Sequence, residues 1–240
     1  MSSTSWSNSG PAASCHTRRV SETPRREKLR SFESAAIAGI AYAVLTIAAL
    51  FLLRLPADLT LSDEALEIWF KDAGNRATLT FGLTLVSIAA VAFLWFVAVI
   101  RRRIGDREDR FFATVFLGSG ILYAATYLSG AVALAAPALA YSAIGNATVD
   151  EASATLAIGT AAGLLLVVGP RMQAVFMLTT STLILRSKVL PNWLAYSGYA
   201  VGALLFLLPL VFEPVGIAFP VWVLIASTTI GLTRPDFEAE

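Results

Sequence analysis

Any chemistry in this 240-residue chain has to start from Arg171, because it is a charge set inside a long apolar stretch, residues 152–185. Counted back from Arg186 at ~1.5 Å per helical residue, Arg171 lies about 22 Å along the segment. An unpaired charge in hydrocarbon costs at least ~2–3 kcal/mol, so something must compensate it. Glu213 falls at a similar height, and a long guanidinium side chain can snorkel toward it. Pro170 has no N–H, which frees the Leu166 carbonyl one turn back to accept from Arg171. The functional alternative is a cavity where Arg171 takes an anionic headgroup or carboxylate. Gln173 and the hydroxyls of Thr179, Thr180, Ser181 and Thr182 stand close by in sequence. Hydroxyls in membrane helices usually bond back to their own backbone, which weakens that support. The candidate ligand-binding residues are therefore Arg171, Gln173 and Glu213.

Other chemistries lack their residues. Proton-coupled transport wants an acidic or histidine side chain in the membrane, and none falls inside an apolar run. The single histidine, His16, neighbours the single cysteine, Cys15, in a polar N-terminal tail. One Cys–His pair is far short of a metal site, and a lone cysteine forms no intrachain disulfide. There is no G-x-S-x-G, no H-E-x-x-H and no pair of carboxylates in a span, so catalytic and metal residues are both read as none. No cofactor is implied, and an enzyme is the least supported class. A net charge of +1 also excludes a nucleic-acid partner, which would demand a basic face.

The elements that position these residues follow from composition. The chain is 56% hydrophobic and 15% charged, with mean hydropathy +0.69, far more apolar than a water-soluble domain. About 20 apolar residues are needed to cross ~30 Å of hydrocarbon as a helix. Runs meeting that need fall at about 35–53, 77–100, 111–139, 193–212 and 216–232. Residues 152–185 form a sixth, kinked at Pro170. The expected fold is thus an all-α bundle of six transmembrane spans. Lys and Arg stay on the cytoplasmic side in short loops. The six-span reading gathers the tail residues, Arg101, Arg102, Arg103, Arg107, Arg110, Arg186, Lys188 and Arg234 on that side, and leaves Arg54, Lys71 and Arg76 opposite. Both termini are then cytoplasmic. Splitting residues 152–185 into two spans would push Arg234 outside and leave a second piece too short to cross.

The predicted organisation is a disordered cytoplasmic tail at 1–31, a transmembrane domain at 32–233 and a short cytoplasmic tail at 234–240. The first 31 residues are too polar to bury a core. The first apolar run reads as an uncleaved anchor rather than a signal peptide. In the outer loop, Ser62 can cap a short helix with Asp63 and Glu64 in its first turn and Leu66, Trp69, Phe70 and Ala73 on one side. That side either folds onto the ends of the spans or serves as a lid. Glu213–Pro214 makes a tight turn between the last two spans, which predicts antiparallel neighbours. Gly159 with Gly163, and Gly198 with Gly202, have the small-xxx-small spacing that lets helices approach closely. They predict packing of the fourth and fifth spans, or a homo-oligomer. Trp95, Trp193, Trp222 and Tyr141 fit an aromatic belt. Asn146–Ala147–Thr148 is a formal glycosylation sequon.

Two stretches carry a resemblance. One is Phe93-Leu94-Trp95-Phe96 followed by Glu108-Asp109-Arg110-Phe111-Phe112-Ala113-Thr114-Val115-Phe116-Leu117-Gly118-Ser119-Gly120. The other is Leu185-Arg186-Ser187 followed by Leu190-Pro191-Asn192-Trp193-Leu194. They resemble a group of uncharacterised bacterial polytopic membrane proteins, from the second span onward. The resemblance implies a bacterial cytoplasmic membrane and brings no activity with it. Two functions stay open: a small-molecule or lipid-binding carrier built around the fourth span, and a non-catalytic membrane-embedded partner of another protein. The partners expected are the lipid bilayer and a second copy or another membrane protein.

Overall fold

The computed structural model describes residues 23–54, 62–104, 110–143, 149–187, 190–207 and 215–232. Cys15 and His16, the sequon, Lys188, the Glu213–Pro214 turn and the C-terminal tail lie outside the described residues.

Within them the chain is all-helical. Helix α1 spans Thr23–Leu52, α2 Asp63–Lys71, α3 Ala73–Ile104 and α4 Arg110–Ala143. Helix α5, Glu151–Ala162, runs through a π-helical segment, Gly163–Val168, into α6, Gly169–Ser187. Helices α7, Asn192–Leu207, and α8, Val215–Leu232, complete the bundle. Helix α1 therefore starts inside the stretch expected to be a disordered tail. Its Pro24 falls in the first turn, where a missing N–H breaks no helical bond.

The helices Ala73–Arg101, Phe111–Ala143 and Glu151–Ser187 are long and apolar enough to cross a membrane, and Ala36–Leu52 and Gly216–Leu232 are shorter apolar helices. At ~1.5 Å per residue the 37 residues of the α5–π–α6 rod reach about 55 Å, well beyond ~30 Å of hydrocarbon. Residues 152–185 thus lie in one helical rod. The irregularity expected at Pro170 occupies the turn before it: Gly169 N–H bonds Leu164 O, five residues back. Pro170 has no N–H to offer the carbonyls at 165 and 166, so the π winding lies against the residue that cannot continue the ladder.

The bundle's outside carries many large apolar side chains. Ile37, Phe81, Ile88, Trp95, Leu156 and Leu207 are all exposed, a distribution that suits hydrocarbon around the helices rather than water. At the centre, Phe93 meets Tyr42, Tyr123, Phe176 and Phe219, with ring centroids 4.9, 5.1, 5.3 and 5.9 Å away. Five helices, α1, α3, α4, α6 and α8, therefore converge on one aromatic cluster. Helix α1 packs chiefly on α3 and α8, and α7 packs chiefly on α6. The last two helices do touch, but each is seated mainly on a different neighbour, because Gly198 of α7 and Gly39 of α1 supply the closest approaches. Trp222 is buried against Gly198, so it belongs to the core and not to the aromatic belt. Trp95 and Trp193 face outward.

The short helix α2 folds its apolar side down. Leu66 and Phe70 are buried, and Ser62 caps the helix by accepting from Ala65 N–H at 3.4 Å. Its far end is closed by Arg76, whose Nη1 donates to Phe70 O at 2.5 Å and Lys71 O at 2.7 Å. The same guanidinium lies 4.9 Å above the Tyr141 ring, and at the other end of α4 Arg186 lies 4.4 Å above Phe112. Both are cation–π contacts that tie a neighbouring helix end to α4.

Candidate functional site

A cavity of about 380 Å³ opens between α1 and α8 on one side and α4, α5 and the π segment on the other. It exists because α1 and α5 both line it without packing on one another. Gly130 of α4 leaves room only for Leu164 and Leu165 of the π segment, so the π segment seats on α4 and the gap remains toward α1. Its volume falls within the ~300–1,000 Å³ typical of small-molecule sites.

The walls are mostly apolar, with Leu50, Phe51, Ala131, Leu134, Leu165 and Ile217 among them. The polar side chains are few and grouped. Thr46 of α1, Tyr123 and Tyr127 of α4, and Gln173 of α6 lie at one end; Arg54, past the end of α1, lies about 12 Å away along the helix. Tyr123 bonds Tyr42 through their hydroxyls at 2.5 Å. Thr46 lies beside Tyr127, and Gln173 beside Tyr123. Thr46 Oγ1, Tyr127 OH and Gln173 Oε1 are buried without a hydrogen bond of regular geometry among the described residues, although Thr46 and Tyr127 lie close enough for a weak contact. Ser181 Oγ, Trp222 Nε1 and Ser227 Oγ share that state away from the cavity. Thr46, Tyr127 and Gln173 are 2%, 7% and 7% exposed. Burying an unpaired polar atom costs about 1–3 kcal/mol, and these three are distinguished by gathering at one end of the cavity.

Thr46 is the sharpest of them. Thr126, Thr179, Thr180 and Thr182 each donate to a carbonyl three or four residues back in their own helices, the usual fate of a helical threonine. Thr46 does not. Its hydroxyl is left at the cavity's polar end.

The structure distributes the sequence's candidate residues as follows. Gln173 lines the cavity. Arg171 is absent from the lining; its Nη1 donates to Val167 O at 2.6 Å, one carbonyl along from Leu166. Glu213 lies outside the described residues. Thr179, Thr180 and Thr182 are engaged with their own backbone, and Thr182 also meets the Tyr199 hydroxyl at 2.7 Å. A Cβ at Gly198 would strike Ser181 Oγ and come within 2.9 Å of Trp222; one at Gly202 would come within 3.3 Å of Ala174 O. At Gly159 and Gly163 an added Cβ would meet nothing within 4 Å. Sequence reasoning passed over Thr46, Tyr123 and Tyr127 because it sought charge inside the spans. The available signal was Tyr123-x-x-x-Tyr127, two phenols on one helical face amid apolar residues. No three of His, Cys, Asp and Glu gather to hold a metal among the described residues.

Three helices long and apolar enough to cross a membrane, large apolar side chains on the exterior and a half-open, sparsely polar cavity give the described residues the all-helical build that suggests a membrane protein. The chain belongs to the family described as a domain of unknown function (DUF4386), whose model matches residues 37–233. That match takes in the first apolar helix, which the two resembling stretches did not reach. No curated protein and no solved structure matches the chain.

Proposed function

We propose that this is a six-span protein of the bacterial cytoplasmic membrane, with both termini cytoplasmic, that holds and carries a small molecule or lipid in the cavity between α1 and α5. The six-span orientation draws on the Lys and Arg distribution and on the helices α1, α3, α4, α5–π–α6, α7 and α8 as the crossings. The observation that carries the function is the cavity itself, with three lining residues whose buried polar atoms lack a regular hydrogen bond. Buried polar atoms without partners occur in the packed interior too, at Ser181, Trp222 and Ser227; what supports binding is that three of them converge on one cavity. Arg171 has a structural role in this reading: its hydrogen bond to Val167 O compensates the guanidinium beside the π segment.

Native mass spectrometry of the protein released from mild detergent tests the reading. The expected result is a bound small molecule on the wild type that is lost from Ala131→Phe and from Ile217→Trp, which fill the cavity from opposite walls. Identical spectra for wild type and both variants would overturn it. Tags on the two termini should report the same side of the membrane.

A second reading, a membrane-embedded partner of another protein, is favoured by the open face of α5 at Gly159 and Gly163. Site-directed crosslinking from Leu156, which is exposed on α5, would capture a second chain if that reading holds.

A further inference from the structure

We infer that the cavity's occupant is an uncharged, largely apolar molecule bearing a hydroxyl or carbonyl group, which hydrogen-bonds at the end formed by Thr46, Tyr127 and Gln173. The inference rests on the binding reading above and adds the chemistry of the ligand.

The groups at that end fix the sign and number of the interactions. A phenol and an alcohol can each donate or accept, and a primary amide does both through different atoms. None carries a charge to neutralise a carboxylate, phosphate or ammonium. An ion placed there would lose its hydration without a counter-charge, which is far costlier than burying a neutral polar group. Arg54 lies at the opposite end, about 12 Å along α1, too far to pair with a head group beside Thr46. Between the two ends the wall is aliphatic and aromatic, so the rest of the ligand is hydrocarbon. A hydroxyl is the smallest group that can accept from the phenol and the alcohol and donate to the Gln173 amide oxygen at once, while a carbonyl can accept from Thr46 and Tyr127 only. Two of the lining residues, Phe51 of α1 and Leu166 of the π segment, are also exposed on the bundle's surface, which gives such a molecule an apolar way in from the hydrocarbon around the bundle.

The orphaned atoms also give an unusual test. If Thr46, Tyr127 and Gln173 served stability alone, replacing them would weaken the protein. If their partner is a ligand, then Thr46→Val and Tyr127→Phe remove unsatisfied atoms from the empty protein, which becomes equally or more heat-stable; Gln173 is kept because its amide also meets Tyr123. The same changes then reduce the stabilisation given by the ligand.

The experiment uses full-length protein in detergent and follows thermal unfolding with four medium-chain probes of equal length: a primary alcohol, an alkane, a carboxylate and an alkylammonium. A methyl ketone serves as a fifth. The alcohol and ketone are expected to bind about tenfold more tightly than the alkane, as one or two net hydrogen bonds allow. The carboxylate and the ammonium should bind no better than the alkane. In Tyr127→Phe and Thr46→Val the alcohol's advantage should shrink to about twofold while alkane binding stays unchanged. Equal binding of alcohol and alkane to the wild type overturns the head-group assignment but leaves the cavity as a binding site. Preference for the carboxylate also overturns it and moves recognition to Arg54. If no probe binds, and Ala131→Phe and Ile217→Trp behave as the wild type does, the binding reading itself falls. Lower heat stability of the empty Thr46→Val protein, an almost isosteric change, shows the structural role and overturns the inference even if Tyr127→Phe fails to fold.

Discussion

Two Gly-x-x-x-Gly stretches of this chain meet opposite fates, and the contrast runs through the whole bundle. On α7, Gly198 and Gly202 bring the backbone so close to α6 that a methyl group at Gly198 would collide with Ser181 and Trp222. On α5 and the π segment, Gly159 and Gly163 face open space. The closed side continues through the aromatic cluster around Phe93, where rings from five helices interlock. The open side continues into the gap between α5 and α1, where the cavity lies. Small residues at that spacing permit close approach, but what stands opposite decides whether it happens. Here α6 and α8 fill the space beside α7, whereas α5 packs on α4 and no described residue stands opposite its Gly159–Gly163 face.

The largest effect that would break this contrast is at its centre. Phe93 is fully buried and touches rings from α1, α4, α6 and α8. Phe93→Ala should cost ~3–5 kcal/mol, the range for large aromatic truncations in close-packed cores. Denaturant titration of the helical signal measures it. A loss under ~1 kcal/mol would mean that the closed side is no better packed than the open one.

The glycines sharpen it next. Gly198→Ala should destabilise by about 1–3 kcal/mol through overpacking, less the ~1 kcal/mol that alanine gains in a helix. Gly159→Ala meets no steric obstacle and should stabilise by up to ~1 kcal/mol. Paired melting curves in one detergent read the difference in sign. If Gly159→Ala instead weakened the protein together with a loss of chemical crosslinking between copies, the open face of α5 would be an interface between chains.

Much of the architecture was legible because hydrocarbon imposes length and charge rules on each segment separately. The apolar runs, the Ser62 cap, the single rod through Pro170 and the downward-facing Leu66 and Phe70 all follow from local composition and spacing. Partner choice among helices was not legible in this way. The tight turn at Glu213–Pro214 pointed to α7 and α8 as antiparallel neighbours, and they do touch, but nothing in the turn told that α7 packs chiefly on α6 and α8 chiefly on α1. Trp222 looked like a belt residue from its position in the sequence, but only the neighbouring glycine shows that it fits inside. Of the candidate site, Gln173 was found through its closeness to Arg171, while the guanidinium itself turned to its own backbone. Thr46 and Tyr127 escaped notice because a neutral polar residue in an apolar span usually satisfies itself locally. Their lack of a regular hydrogen bond is visible only in three dimensions.

The smallest effect tests how the open side is anchored. Asp150 caps the N-terminus of α5: its carboxylate accepts from Ser153 N–H at 3.1 Å and from the Ser153 hydroxyl. The hydroxyl bond first, and then the backbone bond, hold its pKa below the ordinary carboxylate value. A depressed folded pKa means that the cap's contribution is complete above the unfolded value and is lost as pH falls through the folded one. The group is fully exposed, so the effect is confined to the first turn of α5 and leaves the bundle intact. Hydrogen exchange at the Ser153 amide should therefore stay slow at neutral pH, allowing for its intrinsic pH dependence, and lose protection only below the ordinary carboxylate range. Asparagine caps about as well as aspartate, so Asp150→Asn should hold its protection across that range. Loss of protection in both proteins at the same pH would place the weak point of α5 elsewhere. The nearest other anchor is Asp63, which accepts from Glu151 N–H at 2.6 Å and ties the start of α5 to α2.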